Sequence, residues 1–448
     1  MLKVTLLSMR SLNWKGALKK IRWIGVVLII GLPIMAHEVY ATMVYSRQPI
    51  IVYSLVIQPD GKILVGGMAP ESVDSHNFLV RLNADGSLDT TFERNMSGRV
   101  EDIVVQADSK ILVGWNTYLD GYELVRLNPD GSTDKTFNPE SHIARSITVQ
   151  ADGKILVGGN VIGGQRDIAI HRLNADGSMD KTFRAVLGPD ETPGHNYVRA
   201  IVVQANGKIL IGGKFGTING QPRANIGRLH RDGSLDMAFN PDADNSVGAV
   251  VVQSNGKILV SGAYTHLGGQ VCNFIGRLDA DGGLDLTFDS VSVGEAFSMD
   301  IQADGKILVG GTFNMLGNDT LGNDTLGDDP RSNIGRLNVD GSVDMTFNMS
   351  ARSRVYAIAG QVDGKVLVGG PFTMLDGITK GHRVLGLARL NADGSLDTTF
   401  KPWTDNLIKP LSSSILLMRP WVAVPQTTIG NWSRKMNMSF MLAEISVR

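Results

Sequence analysis

The chain has 448 residues, 43% hydrophobic and 19% charged, a globular rather than a disordered composition. Its net charge of -1 gives no basic surplus for a nucleic-acid partner, and its single cysteine, Cys272, excludes an internal disulfide and any multi-cysteine metal site. The 52 glycines follow no collagen period and point to many tight turns.

Residues 1–41 stand apart. Lys3, Arg10, Lys15, Lys19, Lys20 and Arg22 precede the apolar run Trp23–Ala36. As a helix that run spans only about 21 Å, short of a ~30 Å hydrocarbon core. Pro33, then His37 and Glu38, end it, and Val39 and Ala41 set small residues before a cleavage point. The segment therefore reads as a secretory signal cleaved near Ala41, with an uncleaved membrane anchor through Trp23–Ala36 as the alternative. Without residues 1–41 the net charge falls to about -6, which favours solubility and disfavours polyanions.

Residues 42–400 carry one unit seven times. Its first half, V-Q-A-D-G-K-I-L-V-G-G, is anchored by Gln58, Gln106, Gln150, Gln204, Gln253, Gln302 and Gln361. Its second half, R-L-N-A-D-G-S-L-D-x-T-F, ends at Phe92, Phe137, Phe183, Phe239, Phe288, Phe347 and Phe400. The Gln spacings of 48, 44, 54, 49, 49 and 59 residues match one four-stranded propeller blade. Strand A ends at the Gln, as in Ile201–Gln204, and Asp-Gly is expected to form a two-residue turn. Strand B, as in Lys208–Gly213, is apolar throughout and should be buried on both faces. Strand C holds Arg-Leu-Asn, and a second Asp-Gly turn leads to a short strand D ending at the Phe, as in Leu235–Phe239. No long stretch repeats apolar residues at the helical period. The expected fold is an all-β propeller with seven clear four-stranded blades.

The paired motifs resemble the delta-60 repeat family of bacterial proteins over residues 51–400. That resemblance implies a β-propeller-like domain, often exported, without an established activity. The sequence departs from the pattern at Ser109, in a glycine's place, and at His230. Residues 401–448 have one blade's length but no Asp-Gly turn. They read either as a degenerate eighth blade, completed by the N-terminal strand Met43–Tyr45, or as a C-terminal extension.

Residues repeated in every unit are architectural by default. The Phe residues should pack between blades, and Arg81 and its six counterparts should pair with turn carboxylates such as Asp89 or Asp85. The stretch from Asn83 to Asp89 resembles part of a calcium loop, but the first ligand would fall at Arg81, whose guanidinium takes the ion's place. Within the duplicated insertion Leu316–Asp329, Asp319, Asp324, Asp328 and Asp329 are weak calcium candidates, and Asn318 and Asn323 fit the N-x-T acceptor pattern. No other cofactor is indicated. The eight His are scattered, and the Gly-Gly pairs read as close-packing positions rather than phosphate cradles.

With strands ordered A to D outward, the A–B and C–D turns share one face, and the B–C loops and D–A links share the other. Sequence variation collects on the second face, in Pro70–Asn77, Tyr118–Tyr122, Leu187–Tyr197, His266–Val271, Asn314–Pro330 and Met374–Arg383. The binding candidates there are His76, Tyr118, Tyr122, His195, Tyr197, His266, Asn318, Asn323, His382 and Arg383. The expected function is a non-catalytic extracytoplasmic binding or scaffolding module, secreted or in the cell envelope, with an envelope glycan or surface protein as partner. A hydrolase or lyase using the central channel is the alternative. It is disfavoured because the inner strands, as at Ile103–Gln106, offer aliphatics and the repeated Gln. A purely structural surface ring is the third reading.

Overall fold

A computed structural model describes residues 50–68, 77–96, 98–117, 122–141, 143–159, 168–188, 197–288, 292–316, 332–376, 381–402 and 404. All lie within the compact unit 1–408. The leader 1–41, Met43–Tyr45 and residues 405–448 lie outside the described residues.

The described chain is all β, without an α-helix. Seven inner strands, Ile51–Ile57, Arg99–Val105, Ser146–Val149, Tyr197–Val203, Val247–Val252, Ser292–Ile301 and Ala357–Gly360, begin blades 1 to 7. Each pairs antiparallel with a B strand, and that B strand with a C strand. The B strands Ile155–Gly158 and Val366–Gly369 are buried at every position, and Ile63–Met68, Ile111–Asn116 and Ile209–Lys214 at all but the last, as apolar runs between two packed faces must be. The fourth strand is long only in blade 1, Leu88–Met96. In blade 3 it is Ala185–Gly188, paired with Ile168–Leu173, and in the other blades it shrinks to one bridge, such as Leu229↔Leu235, followed by a turn in which Phe239 N–H donates to Asp236 O at 3.2 Å. The predicted strand Leu235–Phe239 is thus a bridge and a turn.

The Asp-Gly turns also differ from expectation. In blade 1, Gln58 N–H donates to Lys62 O and Gly61 N–H to Gln58 O, enclosing three residues, Pro59, Asp60 and Gly61. Only the glycine takes positive φ, +82°, the pattern of a three-residue hairpin loop with a bulge. Asp60 Oδ1 instead accepts from Lys62 N–H. In blade 2 the glycine position belongs to Ser109, at φ 65°.

Each inner strand neighbours the next around the ring, and the inner strand of blade 7 neighbours that of blade 1. Seven clusters of buried hydrophobics occupy the seven interfaces. One joins Val52, Ile63 and Phe78 of blade 1 to Leu367, Leu387 and Phe400 of blade 7. Blade 7 therefore packs directly on blade 1 and leaves no gap for an eighth blade between them.

Close approach requires glycine on the B strands. A Cβ on Gly212 would sit 2.6 Å from Val247 Cγ1 of the next blade, and one on Gly369 2.6 Å from Val52 Cγ1. Blade 5 has Ser261 at this position, and the facing residue is Ala296, whose carbonyl accepts the Ser261 hydroxyl at 3.0 Å. These glycines are packing positions, as the sequence implied.

The C-strand Arg forms the joint between blades. Arg81 Nε donates to Asp89 Oδ2 at 2.7 Å, and the guanidinium lies 4.7 Å over the Phe92 ring. Lys62 reaches the same Asp89 carboxylate at 2.9 Å. Arg81 Nη1 crosses to the carbonyl of Pro129, in the C–D turn of blade 2. The same crossing runs from Arg126 to Ala175, Arg172 to Arg231, Arg228 to Ala280, Arg277 to Val339, Arg336 to Ala392 and Arg389 to Ala84. Of the two expected partners Asp89 is the real one. Asp85 instead caps its own turn, accepting from the backbone and hydroxyl of Ser87.

Candidate functional site at the channel mouth

Five residues before each repeated Gln, the inner strands abandon the repeat. That position reads Tyr53, Glu101, Arg145, Arg199, Gly248, Phe297 and Tyr356 around the ring. With Ser54, Arg99, Asp102 and Ser298 these residues line a cavity of about 420 Å³ where the inner strands begin, hence on the face of the D–A links and B–C loops. The expectation of mainly aliphatics and Gln fits stretches such as Ile103–Gln106, although blade 6 places Asp300 two residues before Gln302. Nearer the start, side chains that point to the channel are charged or aromatic. A larger cavity of about 960 Å³ at the A–B turn end is lined chiefly by repeated positions, including Gln106, Gln150 and Gln204.

An arc of rings and guanidinium groups borders the mouth. Arg99 lies 4.8 Å over Tyr53, and Tyr53 stacks on Tyr356 at 5.2 Å. Tyr356 tilts against Phe297 at 5.7 Å, and Arg199 lies 5.0 Å over Phe297. Arg199 of blade 4 faces Phe297 of blade 6 because Gly248, between them, has no side chain. Arg145 rests 4.6 Å over Tyr197.

The charges are unequally compensated. Arg99 donates from Nε to Glu101 Oε1 at 2.8 Å. Burial works against its charge, but Glu101 outweighs that and raises its pKa above the ordinary value. Burial first, then the neighbouring Arg145, brings Arg199 below its ordinary value. Among the described residues no carboxylate stands within ion-pair distance of Arg199, and Glu295 and Glu101 act on it from farther away.

Burial pushes the Asp102 carboxyl up to about 7, although it accepts from the backbone N–H of Ile103 at 2.9 Å and of Ile147 at 2.8 Å. Asp300 makes the same kind of tie between blades 6 and 7, accepting from Ile301 and Gly360, and burial raises it too.

The sequence-predicted candidates divide. Tyr197 does not line the mouth but is the ring beneath Arg145, which does. Tyr122 is 4% exposed within its C strand, so it is a core residue rather than a ligand contact. His266 is exposed, with Nδ1 3.0 Å from Asp244 Oδ2. Asp244 also accepts from Thr265, an arrangement that caps the hairpin made by His266–Leu267 and Gln270–Val271. His382 and Arg383 lie on the short strand Gly381–Arg383. His76, Tyr118, His195, Asn318, Asn323, Asp319, Asp324, Asp328 and Asp329 lie outside the described residues. Among the described residues no group of three or more His, Cys, Asp or Glu could hold a metal ion. Cys272 packs beside the blade 4–5 core, and burial pushes its thiol up to about 11.

Part of the variable face is itself repeated. Ile218, Leu267 and Leu375 head B–C hairpins in blades 4, 5 and 7, and each pairs with the outgoing link of the preceding blade, at Leu187, Ala243 and Ala351. The pattern Phe215-x-x-Ile218, Tyr264-x-x-Leu267, Phe372-x-x-Leu375 was the sequence signal for these hairpins.

Among solved structures the chain is similar to a catalytically inactive variant of virginiamycin B lyase from Staphylococcus aureus with quinupristin, at 14% identity and TM-score 0.46, covering 73% of this chain and 94% of that one. It is similar to a gluconolactonase from Xanthomonas campestris at 15% identity and TM-score 0.39, covering 73% and 97%. A protein of unknown function from Bacteroides caccae is similar at 14% identity and TM-score 0.33, covering 52% and 80%. No curated protein matches the sequence. The profile of the family described as "Domain of unknown function (DUF5122) beta-propeller" matches residues 58–92, 106–137, 150–183, 204–239, 253–288, 302–347 and 361–400, one segment in each blade. Seven matched blades closed into one ring make this chain a member of the DUF5122 β-propeller family, a delta-60-type repeat protein.

Proposed function

We propose that the protein is a non-catalytic recognition module that takes its ligand at the channel mouth, on the face carrying the D–A links and B–C hairpins. One observation carries this reading: seven structurally equivalent positions hold Tyr53, Glu101, Arg145, Arg199, Gly248, Phe297 and Tyr356. Ring closure asks the same of every blade and is met by residues that repeat. Divergence at an inward-facing position supports a task that the ring performs once. An extracytoplasmic location, secreted or in the cell envelope, belongs to the proposal and is supported by the basic leader and the run Trp23–Ala36. An envelope glycan or a surface protein is the partner class.

The test is binding of the purified chain to arrayed envelope glycans and extracted surface proteins, beside an Arg199→Ala variant. Saturable binding that the variant loses supports the reading; a folded protein that binds nothing points to a purely structural ring. Asp102 favours a second reading. A carboxyl titrating near 7 in a cavity suits general acid–base work, as in a hydrolase or lyase. Turnover of any arrayed compound, abolished in Asp102→Asn, would put that reading first.

A further inference from the structure

Resting on the recognition reading above, we propose that the ligand of the channel mouth is a sugar acid, a saccharide bearing a ring carboxylate, with that carboxylate held by Arg199 beside Arg145.

The cavity volume of about 420 Å³ lies within the range of small-molecule sites, roughly 300–1,000 Å³, so the mouth admits a small molecule or a chain end. Its charge asks for an anion. Glu101 occupies Arg99, whereas Arg199 has no carboxylate at ion-pair distance among the described residues and is crowded by Arg145. A partly desolvated guanidinium is best matched by a planar carboxylate.

The rest of the lining narrows the class. Glu101, Asp102, Ser54 and Ser298 border the same cavity, and carboxylate and hydroxyl oxygens accept from hydroxyl donors. A polyacidic peptide would bring further negative charge against Glu101. A flat aromatic ligand finds no bare platform, since Tyr53 has Arg99 over it, Phe297 has Arg199 over it, and Tyr356 stacks on Tyr53. The ring edges left toward a ligand carry the positive side of the quadrupole, which suits oxygen. One negative charge with several hydroxyl donors is the composition of a uronate.

The experiment is calorimetric titration of the full chain with disaccharides of galacturonate, glucuronate and mannuronate, beside their neutral counterparts and triglutamate. Two variants accompany it. Arg199→Ala removes the charge. Gly248→Leu fills the mouth without altering charge, and its Cβ meets nothing nearer than Ala296 O at 3.4 Å, an ordinary contact; circular dichroism and thermal unfolding check that both variants are folded. The expected result is binding of at least one uronate, weakened tenfold or more in both variants, and no binding of its neutral counterpart. Equal binding of the neutral sugar, or binding of triglutamate in place of the uronates, overturns the sugar-acid assignment and leaves recognition standing. If none of these probes binds and the envelope arrays are also blank, the recognition reading falls with it.

Discussion

Arg389 in blade 7 donates from Nη1 to the carbonyl of Ala84 in blade 1, 2.5 Å away and 305 positions earlier in the chain. Beside it, Lys401 N–H donates to Asp85 O at 2.8 Å. The ring is thus shut by the joint that links its other blades, made here without a covalent connection. Arg389→Ala leaves the buried Asp397 with Lys365 as its one charged partner among the described residues, beside the Thr399 hydrogen bonds. Removing one partner of a buried pair costs about 3–5 kcal/mol, and that loss is expected in chemical denaturation. Arg389→Lys should recover little, because an ammonium cannot bridge carboxylate, carbonyl and ring together. A loss below about 1 kcal/mol would show that the seam does not depend on this residue.

Asp89, Asp134, Asp180, Asp236, Asp285, Asp344 and Asp397 all sit below the ordinary carboxylate range. For several of them burial opposes this, and the Lys and Arg partners and the following Thr or backbone outweigh it. A depressed folded pKa gives stability that is present above the unfolded value near 4 and is lost as pH falls through the folded value. Asp102 has the opposite sign. Its folded pKa of about 7 means the native state keeps a proton that the unfolded chain releases above about 4. Stability therefore declines from pH 4 to 7 on its account, with Glu101 as the charged neighbour that adds to the rise. Urea denaturation between pH 2 and 8 should show a steep acid loss, and Asp102→Asn should flatten the segment between 4 and 7.

Ser109 holds a left-handed backbone that six other blades assign to glycine. A side chain there costs roughly 1 kcal/mol. Ser109→Gly is expected to stabilise the ring by about 0.5–1 kcal/mol in thermal or urea unfolding, and Gly61→Ser to destabilise it similarly. No change in either variant would mean that the turn relaxes to accept a Cβ.

Gly212→Ala drives a Cβ against Val247, an overpacking worth about 1–3 kcal/mol. Val247→Ala alone opens a cavity. Together they imitate the Ser261 and Ala296 pair of blade 5, so the double variant should be more stable than the two separate losses predict. Strict additivity would show that the blades shift apart instead.

What the sequence showed was what it repeated. The Gln and Phe anchors, the buried B strands and the pairing of each Arg with a turn carboxylate were legible because seven copies carry them, though not that the partner lies eight residues on rather than four. The other hand of each Arg was not, since its acceptor is a backbone carbonyl 48 positions away in blade 1 and 305 in blade 7. The channel mouth was hidden for the opposite reason. Repetition averages away Tyr53, Glu101, Arg145, Arg199 and Phe297, and the aliphatic stretch Ile103–Gln106 begins one residue after Asp102. The Asp-Gly pair named a turn correctly, but its loop length is set by the Gln58–Lys62 backbone pairing and not by the dipeptide.

The pairing of each hairpin with the preceding blade's outgoing link changes what can be exchanged between such proteins. Leu187 and Ile218, or Ala351 and Leu375, belong to different blades yet share backbone hydrogen bonds. A hairpin moved alone into another propeller would arrive without its complementary edge. The transplantable cassette on this face straddles a blade boundary: an outgoing link together with the hairpin that follows it.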